Sequence, residues 1–251
     1  FNIGVSARAL GMGGALTAIA DDEGAVLYNP ARLSEYRRIG ISSLYAAGFG
    51  GVSQGAVVAA VPYAALGIVF LDSGLIGDGE EGFRYASQGA ILGVGIPLGF
   101  ASLGARWRFL RVSSPFEGSG WSLDPALAVD VEYLHVGLVW EAAASMPMAY
   151  EGGSEEAWEL GLRVGVAVTL SPAEGVTWTA AMDAVGLFEA APRVAAGIEA
   201  WIAGVGARVG YDGTGLTCGL SARFPGLEVD WAYAARGDLG DSHRVTLALR
   251  F

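Results

Sequence analysis

The sequence contains no lysine, one cysteine and two histidines, and each shortage removes a class of function. Without lysine there is no P-loop, whose phosphate grip depends on that residue, and no Schiff-base nucleophile. Cys218 cannot close an internal disulfide, and the paired spacing of a zinc site is absent. Fifteen basic residues against 26 acidic ones give a net charge of −11, so no basic stripe is available to grip nucleic acid. Gly11-x-Gly13 follows no strand and opens no βαβ unit, which excludes a dinucleotide loop. His135 and His243 have no recognisable serine partner, so neither an enzyme nor a cofactor or metal site is expected. Charge itself is scarce: 16% of residues are charged and 53% hydrophobic, with mean hydropathy +0.43. Yet no apolar run reaches the roughly 18 residues a membrane helix needs, and the stretch Gly55–Leu71 is broken by Gly, Pro and Tyr. A chain this apolar without a spanning helix is left with the other structure that satisfies its backbone in lipid, a closed β-barrel. No charged region followed by an apolar one stands at the start, so a secretory signal is expected to have been removed already.

What is present is alternation. In "SHRVTLALRF", Val245, Leu247, Leu249 and Phe251 share one face, while Arg244, Thr246, Ala248 and Arg250 share the other. "GLEVDWAYAAR" and "AWELGLRVGVAVTL" repeat the pattern. A half-buried strand of a soluble sandwich reads the same way. Recurrence in segments of about ten residues between turns is the transmembrane-barrel signature. The pattern predicts about fourteen strands, at 39–48, 52–61, 64–72, 87–97, 101–112, 121–132 and 134–145 in the first half. The second half gives 157–170, 176–186, 193–202, 205–212, 215–224, 227–236 and 243–251. Tight turns are expected at Pro62, 97–99, 132–133, 172–175, 203–204 and 225–226, alternating with longer outer connections such as 73–86, 113–120 and 146–156. Short periplasmic turns opposite longer outer loops are what a barrel requires. Trp107, Trp140, Trp158, Trp178 and Trp231 are expected outward, where interfacial girdles sit.

Inward positions from the fifth strand onward carry both signs, including Arg106, Arg108, Asp124, Glu141, Arg163, Asp183, Glu199, Arg208, Glu228, Asp230 and Arg250. Interleaved signs predict a salt-bridged or solvated lumen wall rather than a one-sign ring. Arg106 and Arg108 are expected to pair with Asp130 or Glu132, or else to meet a carboxylate ligand. The first four strands carry no charge but Asp72 at the end of the third, and Leu44, Val69 and Leu71 share their inner face. A sector apolar on both faces is buried on both, against lipid outside and either a plug or a greasy ligand path inside. The acidic outer loops (Asp78, Glu80, Glu81; Glu151, Glu155, Glu156) read as solvated surface or as divalent-cation sites beside lipopolysaccharide. Inward glycines leave lumen space, and the polypeptide available to occupy it is the segment before the first strand, residues 1–37, ahead of a barrel at 38–251.

That segment, "ARALGMGGALTAIADDEGAVLYNPARLS", resembles the amino-terminal hatch of the FadL family of outer-membrane transporters, and within it the PorV-like branch. The matching positions include Gly11, Gly13, Gly14, Asp21, Asp22, Asn29 and Pro30, and Arg32 stands where the family commonly has glycine. The resemblance implies a bacterial outer-membrane barrel of fourteen strands with a lumenal hatch. It also implies passive passage of hydrophobic, fatty-acid-like molecules along a path including Leu44, Val69, Leu71, Arg106 and Arg108. Lateral exit would lie at a break at Asp72, Ser73 and Gly74. Asp21-Asp22 and Asn29-Pro30 are then expected to meet inward arginines such as Arg106 or Arg250. The implied partners are outer-membrane lipid and a hydrophobic small molecule. The PorV-like alternative implies instead a protein partner in a secretion or surface-attachment complex, with no transport.

Overall fold

A computed structural model describes residues 6–47, 52–76, 82–114, 116–189, 191–235 and 241–251. The first strands are β1 (Gly40–Ala47), β2 (Ser53–Val61), β3 (Ala64–Ile76), β4 (Phe83–Leu98), β5 (Ala101–Ser114) and β6 (Gly118–Val131). They are followed by β7 (Leu134–Glu141), β8 (Ala144–Tyr150), β9 (Glu155–Glu156), β10 (Gly161–Ala173) and β11 (Val176–Val185). The chain ends with β12 (Arg193–Ile202), β13 (Val205–Tyr211), β14 (Leu216–Phe224), β15 (Leu227–Ala234) and β16 (Ser242–Arg250). All pairings are antiparallel; β1 bonds both β2 and β16, and β5 bonds β6, so the sheet closes on itself. Fourteen strands form the wall. The other two, β8 and β9, extend it on the outer side: β8 continues along β6 where β7 stops, and β9 pairs with β8.

The tight turns fall at 62–63, 99–100, 132–133, 174–175, 203–204 and 225–226, all at one end. Two-residue hairpins need left-handed backbone, and Gly99, Gly175 and Gly226 supply it, while Tyr63, Glu132 and Ala203 adopt it without that freedom. The turn expected at 172–175 is shorter because β10 runs through Pro172, with a register shift between Leu170 and Ala173, where a bulge tolerates proline.

Two expected strands are corrected. The strand expected at 134–145 divides into β7 and β8 at Ala142, which stands at φ 54°. The strand expected from 157 begins only at Gly161. Trp158 therefore does not face lipid: it packs against the cluster of Leu110, Val112 and Met148 and donates to the Met146 carbonyl at 2.8 Å. Trp107, Trp140, Trp178 and Trp231 do lie exposed on the outer face, with Ile41, Tyr45, Leu66, Ile68, Val166, Leu220 and Leu247. An apolar surface this continuous suits hydrocarbon rather than water.

Residues 6–36 pass inside the wall as α1 (Ala7–Gly11), α2 (Ala25–Tyr28) and a 3₁₀ turn (Pro30–Glu35). Such short helices cannot persist alone; packing holds them. Met12, Leu16, Val26 and Leu33 are fully buried and join Leu44, Val58, Val69 and Ile91 of β1–β4 in one core. On the other sides α1 lies on β13–β16 and the 3₁₀ turn on β4–β6. The apolar inner face of the early strands is thus covered by the chain itself. Close approach depends on missing side chains: a Cβ at Gly137 would strike the Thr17 carbonyl, and one at Gly104 the backbone of Ala31.

Candidate functional site

Polar contacts fasten the internal segment to the wall at several heights. Arg8 of α1 gives two hydrogen bonds to Glu199 of β12, at 2.9 and 3.0 Å, and also meets Asp21 and Asp22. Asp183 of β11 accepts from the Thr17 amide at 3.0 Å and from its hydroxyl at 2.5 Å. Glu23 pairs with Arg250 of β16 at 2.7 Å, and Arg32 with Asp130 of β6 at 2.7 Å and Glu35 at 2.9 Å. The Asn29 amide donates to the carbonyls of Thr17 and Leu127 at 2.8 and 3.1 Å, while its oxygen accepts from Ala31 and starts the 3₁₀ turn at Pro30. Gly11 packs on Gly219, and Gly13 and Gly14 take φ of 66° and 91° after α1.

These pairings differ from expectation. Asp21 and Asp22 meet Arg8 of their own segment, and it is Glu23 that takes Arg250. Arg106 meets neither Asp130 nor Glu132. The antiparallel register sets Asp124 opposite Arg106, puts Asp130 opposite His135, and leaves Glu132 in a turn. Asp124 binds Arg106 at 2.6 Å and Arg108 at 2.8 Å, and Glu141 binds Arg106 at 3.2 Å and Arg163 at 3.6 Å. Arg106 also donates to the Leu27 carbonyl, tying this network to the internal segment. Buried charges endure only when paired in this way.

Two cavities lie on either side of the segment. The outer one, of about 500 Å³, is lined by Arg108, Leu110, Glu141, Met148, Tyr150 and Trp158, with Glu159 and Glu189. The inner one, of about 230 Å³, is at the tight-turn end among Arg8, Asp22, Tyr36, Arg223, Glu228 and Arg250. Between segment and wall runs a crevice of only about 20 Å³, beside Leu44, Ala56, Val58 and Arg250. That is room for about one water.

The five residues expected to share a ligand path are not brought together. Leu44 lines the crevice, Val69 is in the packed core, Leu71 is half-buried on the inner face, Arg106 is sealed in its network, and Arg108 faces the outer cavity. Asp72, Ser73 and Gly74 form a bulge stitched to β4: Ser73 accepts from the Tyr85 amide at 2.8 Å, and Arg84 pairs with Asp72. Pairing with β2 ends at Ser53–Asp72, and with β4 it resumes at Leu75. Asp78, Glu80 and Glu81 lie outside the described residues. The sequence pattern sets Glu159 inward, where it lines this cavity, but it puts Trp158 on the outer face and gives no signal for Glu189.

Burial pushes the Asp22 carboxyl up to about 6, against the opposing pull of Arg8. A carboxyl raised on folding stabilises its packing while protonated, fully so below the unfolded value of about 4, and that contribution is lost as pH rises through about 6. Protection of residues 6–36 from amide exchange, corrected for intrinsic rate, is therefore expected to fall between about pH 4 and about pH 7. Asp22→Asn should flatten the profile; an unchanged profile would show that Asp22 is not responsible.

No family model and no curated protein matches the sequence. Among solved structures, the chain is similar to the Pseudomonas putida toluene transporter TodX, with TM-score 0.68, 12% identity and 98% of each chain covered. The fold is that of an outer-membrane β-barrel. A deletion mutant of TodX described as a monoaromatic hydrocarbon channel aligns at TM-score 0.62 and 11% identity, over 100% of this chain and 99% of that one. The Acinetobacter baumannii outer-membrane protein Omp33 aligns at 0.55 and 6% identity, covering 86% of this chain and 98% of its own. At these identities the likeness is one of fold alone.

Proposed function

We propose that the protein is a bacterial outer-membrane channel for passive passage of hydrophobic small molecules, with residues 6–36 acting as its hatch. The observation that carries the reading is the buried segment itself, filling the barrel between an outer cavity of about 500 Å³ and an inner one of about 230 Å³. In this reading a molecule settles in the outer cavity and passes when the segment shifts from the wall of β1–β4, whose inner face is apolar. The bulge at Asp72, Ser73 and Gly74 is the place for lateral exit, since the β2–β3 ladder ends there. The likeness to TodX favours small apolar or aromatic molecules; a fatty-acid-like cargo finds less support, because the arginines expected to hold a carboxylate are engaged by Asp124.

Uptake of labelled toluene by cells with and without the gene tests the reading. Faster entry with the protein present, and no change for a polar sugar, is expected. No difference in toluene entry, together with recovery of one stoichiometric protein partner, would instead favour a subunit of a secretion or surface-attachment complex.

A further inference from the structure

We infer that the outer cavity is a binding site for an apolar molecule bearing one positive charge, an aryl- or alkylammonium ion, rather than for a carboxylate. Onward passage of the bound cation rests on the channel reading, whereas binding itself does not. One wall of the cavity is apolar and aromatic: Leu110 and Met148, with Tyr85, Tyr150 and Trp158 packed beside them. The opposite side is acidic. Glu141 turns one oxygen to Arg106 and Arg163, while its other oxygen and an oxygen of Glu189 each lie 3.1 Å from where a Cβ of Gly161 would stand. Two carboxylates thus converge over a residue that contributes no bulk. Glu159 stands at the same rim.

The charge count decides the sign of the ligand. Arg108 is the one basic residue lining this cavity among the described residues, and it is committed: 2.8 Å from Asp124 and 5.1 Å over the Trp158 ring. Glu159 and Glu189 have no ion-pair partner among the described residues. A cleft lined by one sign of charge with low-dielectric walls concentrates the opposite ion, and aromatic faces attract cations too. A carboxylate entering here would meet four glutamates, Glu141, Glu156, Glu159 and Glu189, and no free cation among the described residues. A volume of about 500 Å³ lies within the ordinary range for small-molecule pockets.

The test is calorimetric titration of the purified barrel in a zwitterionic detergent with phenethylammonium, ethylbenzene and 3-phenylpropanoate, which share a body and differ in charge. Phenethylammonium is expected to bind at least about tenfold more tightly than 3-phenylpropanoate, the lower end of electrostatic focusing by a charged cleft. The Glu159→Gln/Glu189→Gln variant should lose that preference, with its barrel fold checked by heat-dependent gel mobility. Equal binding of all three, or tighter binding of 3-phenylpropanoate, overturns the inference. Uptake separates it from the channel reading. Ethylbenzene entry through the protein without phenethylammonium binding keeps the channel and overturns the cation site. Phenethylammonium binding with no entry of either compound keeps the site and overturns the channel.

Discussion

Valine at both Gly104 and Gly137 is expected to convert a closed barrel into a conducting one. Both glycines face inward, and a Cβ at either would collide with backbone of the internal segment, at Ala31 and at Thr17. Overpacking a well-filled interior costs about 1–3 kcal/mol per site when side chains can yield, and here the obstructing atoms are main chain. The wall does not need these glycines to be bare, because valine suits a strand. The barrel should therefore still form while the segment loses its seat. In planar bilayers the wild-type chain should show little steady current and the double variant a lasting conductance. A double variant as closed as the wild type would mean that the segment can repack around added bulk.

Asp124→Ala is expected to cost the most stability of any single polar change. Asp124 is fully buried and accepts from Arg106, from Arg108 and from the Ala142 amide at 2.8 Å. Removing it leaves two guanidiniums short of a counter-charge in the lumen. Breaking a buried pair by deleting one partner typically costs about 3–5 kcal/mol. The urea midpoint of the folded barrel in liposomes should fall accordingly, and adding Arg108→Met should recover part of the loss by removing one of the stranded charges. No fall would show that water enters the network freely.

The wall is legible because each strand reports its own orientation. Ile41 and Tyr45 out, Leu44 and Ala46 in, follow from a period of two, and the hairpins are marked by residues such as Pro225-Gly226 and Glu174-Gly175. Legibility fails where the chain leaves that period. Ala142 breaks β7 by a backbone conformation its residue type does not announce. Trp158 falls in phase with Leu160 although the strand starts after both. Pairings inside the lumen depend on register, which alternation alone does not fix. Hence Asp124, not Asp130, faces Arg106. The internal segment's presence follows from a shortage of other chain to fill the lumen, but its partners do not: Arg8 for the two aspartates, Asp183 for Thr17.

The central claim is that molecules pass only when the internal segment shifts, and a reversible lock tests it most directly. Val26 of α2 and Gly93 of β4 face each other, and a Cβ on Gly93 would stand 3.5 Å from the Val26 Cβ, a separation that a disulfide spans. In a Cys218→Ser background, Val26→Cys/Gly93→Cys can be oxidised and reduced in the same preparation. Toluene uptake should be lost on oxidation and return with reductant. Equal uptake in the two states would contradict the account.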